Sequence, residues 1–187
     1  MQSKDQIEKS FTAFYLKEII TPLGLMIAGT TAEGLCLLEF GTRVNLKKEL
    51  EDLLVLLHAE IAPGGNLYST QIENELNEYF AGKRTDFTVP LCTPGNDFAR
   101  SVWQMLLNIP YGTTWTYKHQ SERMQQPLAI RAMAAANGRN RIAIVIPCHR
   151  VIGSNGSLTG YAGGIEKKRW LINFEREHAG VQPGYLF

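Results

Sequence analysis

The segment that most restricts this chain is a run of five apolar residues, Ile142 to Ile146 (IAIVI), that ends in Pro147-Cys148-His149-Arg150. Such a run is predicted to be a strand or extended segment buried on both faces, and it carries a thiol and an imidazole into the interior or into a cleft. Cationic neighbours favour the thiolate over a thiol whose ordinary pKa is about 8.5, so His149 and Arg150 make Cys148 a candidate nucleophile. A cysteine after an apolar run also serves simply as a small buried hydrophobe. Glu175 adds to the chemical reading. In a helix predicted over 165–178 it falls three and four residues from Ile172 and Leu171, on the apolar stripe, where a carboxylate needs a partner. His149, oriented by that carboxylate and reaching the thiol directly or through a water, would complete a Cys, His, Glu relay. The other reading of Glu175 is a surface carboxylate on a helix of different phase.

The rest of the chain divides in two by pattern. Residues 13–20, 23–28 and 35–40 are short apolar or alternating runs separated by Thr21-Pro22 and Glu33-Gly34, which predicts a three-stranded antiparallel meander. The period then changes: Leu46, Leu50, Leu53, Leu54 and Leu57 lie at helical spacing in 46–59, and a second helix is predicted over 69–81. Pro90 and Pro94 make 87–96 a linker, with the boundary near residue 90, so that 1–90 form a small α+β domain and 91–187 a mostly helical one. Helices are predicted there over 97–108, 117–124, 127–137 with Gly138 at its end, and 165–178. The third carries Arg131, Ala134, Ala135 and Gly138 on one face, a smooth surface with one guanidinium that suits close approach to a backbone or a groove. With the short helix before it, it has the outline of a helix-turn-helix, although alanine-rich helices also pack against other helices. Lys167-Lys168-Arg169 is predicted to be a solvated face, Gly163-Gly164 a loop, and His58 and His119 lack ligand spacing.

Charge separates the same two parts. Residues 1–110 hold 9 Lys and Arg against 14 Asp and Glu, whereas 111–187 hold 10 against 4, so the second part is where a phosphate backbone could bind. A basic solvated face is the plainer alternative. The three cysteines, Cys36, Cys92 and Cys148, include no CxxC pair, which argues against a disulfide scaffold and a four-ligand zinc site and leaves at least one thiol free. The charged stretch Met1–Phe11 does not read as a secretory signal, and no apolar run approaches the roughly 20 residues of a membrane span. A soluble cytoplasmic protein is expected.

Taken in order, Ile109-Pro110-Tyr111-Gly112, Thr116-Tyr117, Arg131-Ala132, Asn137-Gly138-Arg139-Asn140, the PCHRVIG string over 147–153, Gly160-Tyr161-Ala162-Gly163-Gly164, Lys168 to Leu171 and Glu175 resemble one family closely. It is the O6-alkylguanine-DNA alkyltransferases, or methylated-DNA-protein-cysteine methyltransferases. The resemblance covers residues 88–178; the first 87 resemble the family's variable N-terminal domain only in length, element order and the stretch Glu73–Asp86. It implies an α+β fold in which a three-stranded antiparallel sheet precedes a helical, winged-helix-like domain with a helix-turn-helix. It also implies a partner, double-stranded DNA carrying alkylated guanine, approached from the minor groove with the damaged base flipped out at a cost of a few kcal/mol.

The resemblance assigns roles residue by residue. Arg131 matches the arginine that fills the vacated place in the stack, and Tyr117 the tyrosine that rotates the phosphate and donates to N3 of the flipped base. Cys148 matches the alkyl acceptor, His149 the group that takes its proton through a water, and Glu175 the carboxylate that holds the imidazolium. Asn140 matches the asparagine bridging the helix-turn-helix to the active-site segment. Val151 and Tyr161 match pocket-lining positions, and a backbone N–H near Ala162 would donate to O6. Ala134, Ala135 and Gly138 belong to the DNA face. The implied reaction is a single irreversible alkyl transfer from O6-alkylguanine, with O4-alkylthymine a further substrate. No metal or other cofactor is expected: some members carry zinc in the N-terminal domain, but no matching Cys and His cluster is visible. A monomer without membrane or obligate protein partner is expected, associated with the nucleoid if bacterial. The chain departs from the family at Lys118 and Gln120, where relatives carry a small and an apolar residue, and at Ala134 and Arg141, which replace a frequent glycine and a frequent proline.

Three other readings compete. A lesion binder of the same fold would lack the cysteine, a regulatory fusion would carry a four-cysteine zinc domain, and a thiol hydrolase would regenerate its thiol. Cys148 and the chain length argue against the first two, and turnover discriminates the third.

Overall fold

Why the meander forms is visible at its turns. In the computed structural model, which describes residues 11–180, strands β1 (Thr12–Thr21), β2 (Gly24–Thr31) and β3 (Gly34–Phe40) pair antiparallel in sequence order. The Thr21 hydroxyl closes the first turn by donating to the Gly24 carbonyl at 2.7 Å. The second turn requires glycine: Gly34 has φ +142°, and a Cβ there would lie 2.2 Å from the Pro90 carbonyl oxygen. The charged stretch Met1–Phe11 lies, apart from Phe11, outside the described residues.

The sheet has four strands rather than the expected three. Helix α1 (Leu46–Leu57) ends at His58 in a left-handed conformation, and the chain then adds β4 (Ala59–Ile61) parallel to β1, giving the order β3-β2-β1-β4. Three residues are too few to show alternation, so this strand left no pattern to read. Helix α2 (Leu67–Phe80) starts two residues earlier than its periodicity suggests, because Asn66 and Ser69 form a reciprocal capping box.

The proline-containing segment after α2 is docked. Buried Glu75 accepts from the Thr88 and Val89 amides, and backbone bonds run from Leu35 N–H to Pro90 O and from Cys92 N–H to Leu35 O. Farther along β3, Leu38 exchanges backbone bonds with Arg141 and Ala143. The open edge of β3 is thereby covered, which explains why all seven of its residues are buried. Cys36, Cys92 and Cys148 are all unbridged.

Helices α3 (Asp97–Leu106), α4 (Tyr117–Arg123), α5 (Ile130–Gly138) and α6 (Ile165–His178) follow, with two-residue strands β5 (Trp115–Thr116) and β6 (Val151–Ile152) paired parallel. Helices α4 and α5 are the expected helix-turn-helix, though α5 begins at Ile130 because Pro127 and Leu128 are spent in the turn. The larger apolar core runs from Met26, Leu38 and Phe40 of the sheet through Leu76, Val102 and Met133 to Leu171, and a smaller cluster joins Phe14, Cys36 and Leu37 to Leu53 of α1.

Two local expectations are corrected. Ile142–Ile146 is buried throughout but is not a strand: after one bridge to Leu38 it folds into a turn, with Ile144 at φ +70° and Ile146 N–H bonded to Ile142 O. An apolar run reports burial, and the choice between extension and turn was made by polar partners far along the chain. Lys168, read as part of a solvated face, is fully buried, with its stem along the core and its ammonium on the Thr159 carbonyl at 2.8 Å.

Gln120, one of the two departures from the family in α4, is fully buried and meets Asn137 of α5 in a reciprocal amide pair, at 2.9 and 3.4 Å. Replacing Gln120 by Leu strands the Asn137 amide and is expected to destabilise the protein by about 1–3 kcal/mol, whereas Gln120→Leu with Asn137→Leu restores most of that loss. Urea unfolding of the two variants checks this; equal midpoints would refute the pairing.

Candidate active site

The buried carboxylate of Glu175 organises the site. Its oxygens accept from the Tyr79 hydroxyl (2.8 Å), His149 Nε2 (2.9 Å), Arg150 Nε and Nη2 (2.8 and 2.9 Å) and the Gly112 amide (3.3 Å). Burial alone would raise its pKa, but His149 and Arg150 outweigh that and hold it at about 2. Gly112 has φ +74°, and a Cβ on it would press within 2.7 Å of Ala179, so its close approach to the carboxylate needs glycine. Arg150 also donates to the Ile109 carbonyl at 2.7 Å and lies over the Tyr111 ring. The guanidinium therefore serves Glu175 and not the thiol beside it in sequence.

His149 is wholly buried. With Nε2 donating to the carboxylate, the lone pair rests on Nδ1, which is buried without a partner. Burial lowers the histidine pKa despite Glu175, so the ring is neutral in the resting state. A 3-10 turn over Cys148–Arg150 places the thiol at the turn's first residue. The simple expectation of a depressed thiol pKa is overturned: burial pushes Cys148 up to about 11, with nearby Glu39 adding to the rise and Asn140, Lys168 and Arg43 opposing it. Thiol and imidazole thus rest as a neutral pair.

Asn140 ties the sulfur to its surroundings. Its Nδ2 donates to the Ile146 carbonyl at 2.8 Å and reaches Cys148 Sγ at 3.3 Å, while its Oδ1 accepts from the Ile142 amide at 3.0 Å. Three bonds from two atoms of one side chain close the whole 140–148 turn. Cys148, Asn140, Tyr117, Gly138, Tyr161 and Ala162 surround one narrow cleft. Tyr117 is half-buried, and burial raises its pKa, which keeps its hydroxyl protonated. Val151 is not in the cleft lining: it is fully buried and paired with Trp115. On α5, Met133, Ala136 and Asn137 face inward, while Arg131, Ala135 and Gly138 are exposed and Ala134 is half-buried. The small-residue face is open as expected.

The family model for the DNA-binding domain of 6-O-methylguanine DNA methyltransferase matches residues 97–177. A methylated-DNA–protein-cysteine methyltransferase of Methanosarcina barkeri is 39% identical over 164 residues, which span 88% of this chain and 98% of that protein. The chain belongs to the methylated-DNA–protein-cysteine methyltransferase family. A member from Mycobacterium tuberculosis is 51% identical over 106 residues, 57% of this chain, and that match spans 64% of the relative's own length. A crystal structure of M. tuberculosis OGT in complex with DNA superposes with a TM-score of 0.74 at 37% identity, covering 89% of this chain and 94% of that one.

Beside the residues given roles by the family resemblance stand four whose contacts sequence reasoning missed. Tyr79 comes from α2, 96 residues before the carboxylate it serves. Glu39 and Arg43 reach the cleft and the end of α5 from the sheet side, and Lys168 pins the 159–164 segment. Of these, Lys168 alone offered a signal, in its helical phase three residues before buried Leu171 and in its place within the resemblance.

Because its pKa lies below the ordinary carboxylate value, Glu175 stabilises the fold above pH 4.5, and that contribution is lost as pH falls towards 2. Glu175→Gln is expected to cost about 3–5 kcal/mol near neutrality, by leaving Arg150 without its counter-charge. It also flattens the acid limb of a stability–pH curve. Denaturant unfolding of both proteins across the acid range tests this, and parallel curves would refute it.

Proposed function

We propose that this protein repairs alkylated DNA by moving an alkyl group from O6 of guanine to its own Cys148, once per molecule. The observation that carries the reading is the thiol at the rim of a cleft, bonded to Asn140 and backed by the His149–Glu175 pair. Family membership and the relative solved with DNA support it.

The chemistry follows from a neutral resting pair. His149 takes the thiol proton through a water, and the imidazolium formed is held by a carboxylate already ionised. The new Sγ–C bond forms as the C–O6 bond breaks, and the departing guanine takes up a proton, so thiol and alkylguanine become thioether and guanine. Tyr117, still protonated, donates to the base, and the backbone N–H near Ala162 donates to O6; both stabilise the charge that develops on the leaving group. The thioether offers water no leaving group, so the protein ends alkylated.

An alkyl group on O6 is out of reach inside the stack, so the base must be flipped. Arg131, exposed near the start of α5, is the residue proposed to occupy the gap, and the open face of Ala134, Ala135 and Gly138 lets α5 approach the groove closely. O4-alkylthymine enters the same cleft. The protein acts as a monomer on duplex DNA in the cytoplasm.

Intact and peptide mass spectrometry after incubation with a duplex holding one O6-methylguanine tests the reading. A gain of one methyl on the Cys148 peptide, saturating at one equivalent and absent in Cys148→Ala, is expected. Selective binding of the lesion duplex with no modification would move the assignment to a lesion sensor, and multiple turnovers would point to a hydrolase. Arg131→Ala is expected to slow reaction with the duplex by about 10–100-fold, the scale of the flipping cost it offsets. Its reaction with free O6-methylguanine nucleoside should stay near that of the native protein; equal slowing on both would assign Arg131 to folding.

A further inference from the structure

One buried acid in the cleft has no part in that chemistry. Glu39 lies on β3, opposite Ile27 of β2, and is 1% exposed. Its Oε1 pairs with Arg43, whose guanidinium also donates to the Asn140 and Gly138 carbonyls at 3.3 and 3.4 Å. Its Oε2 is buried without a hydrogen-bond partner, and Glu39 lines the same cleft as Cys148 and Tyr117. The Tyr161 hydroxyl, in the same lining, is likewise buried and unpartnered. Buried polar atoms without partners are costly, and two of them on one cleft wall mark a surface awaiting a polar group.

A methyl group has no atom to satisfy them, whereas a short chain ending in a hydroxyl has one. Burial pushes the Glu39 carboxyl up to about 8 against the pull of Arg43, so near neutrality the group is mostly uncharged and can both donate and accept.

Resting on the alkyl-transfer reading above, we propose that Glu39 is a specificity-determining residue of the acceptor cleft, selecting O6-guanine adducts whose alkyl chain ends in a hydrogen-bond donor, of which 2-hydroxyethyl is the smallest. The bonds exchanged are unchanged: Cys148 Sγ–C forms, C–O6 breaks, and a proton passes from sulfur to the departing guanine. Glu39 holds the terminal hydroxyl and takes no part in that exchange.

The test compares two adducts of equal size, O6-(2-hydroxyethyl)guanine and O6-n-propylguanine, with O6-methylguanine as reference, each in the same duplex. The native protein is expected to transfer hydroxyethyl about tenfold faster than propyl, the selectivity of one buried hydrogen bond. Glu39→Leu removes that preference, and Glu39→Gln, which keeps polar atoms for Arg43 and for the hydroxyl, retains most of it. The ratio of rates is the readout, because a purely structural role would slow both adducts together and leave it unchanged. Equal native rates for hydroxyethyl and propyl, or a ratio unaltered in Glu39→Leu, would overturn the proposal while methyl transfer still stands. Absence of methyl transfer by the native protein would instead bring down the repair reading, and this inference with it.

Discussion

The fold and its chemistry both depend on one buried carboxylate. Glu175 would be costly in the core alone, since an isolated ion there loses its hydration. Here it is compensated by donors from three places in the chain: α2, the loop at Gly112, and the 3-10 turn, which supplies His149 and two nitrogens of Arg150. Removing any one donor leaves the others in place, but removing the carboxylate leaves a buried guanidinium and an imidazole without their acceptor. The arrangement is therefore structural and functional at once. It joins α2 to α6, and it fixes which nitrogen of His149 carries the lone pair.

The resting state shows why the thiol is safe until a substrate arrives. Desolvation keeps Cys148 protonated and His149 neutral, so neither is charged in a cleft with few groups to solvate an ion. A permanently ionised thiolate would react with any electrophile that reached it. For the proposed single alkyl transfer, restraint of that kind would conserve the molecule for the intended carbon. Lys168 and Arg43 oppose the rise in the thiol pKa without abolishing it, leaving the imidazole to complete the deprotonation.

What could be read from sequence follows a physical rule. Cys148, His149 and Glu175 are legible because each contradicts its surroundings: a thiol and an imidazole end an apolar run, and an acid sits on an apolar stripe. The helices are legible from period and caps. Tyr79, Glu39 and Arg43 are not, because their roles come from contacts with residues dozens of positions away, and nothing local distinguishes a tyrosine that bonds Glu175 from one that merely packs. The same limit applies to 142–146. Its burial is local information, but its turn depends on the Asn140 amide and on the edge of β3. Lys168 failed differently: its charge outweighed its helical phase in the reading, while in the fold the four-carbon stem and one carbonyl were enough to bury it.

These contacts also connect the two faces of α5. Its outward side, Arg131, Ala135 and Gly138, is the side proposed to meet DNA, and its inward side is fixed by Trp103 Nε1 on the Ala136 carbonyl and by the Gln120–Asn137 pair. Two residues beyond its end, Asn140 holds Cys148 Sγ, and Arg43 holds the carbonyls of Gly138 and Asn140 to Glu39. The end of the helix is thus pinned to the sulfur on one side and to the cleft's acid on the other. A groove that seats α5 thereby sets the height of the thiol and the position of Glu39 together. Arg43 lies far from the nucleophile in sequence, yet it keeps the end of α5 and the cleft wall in one register.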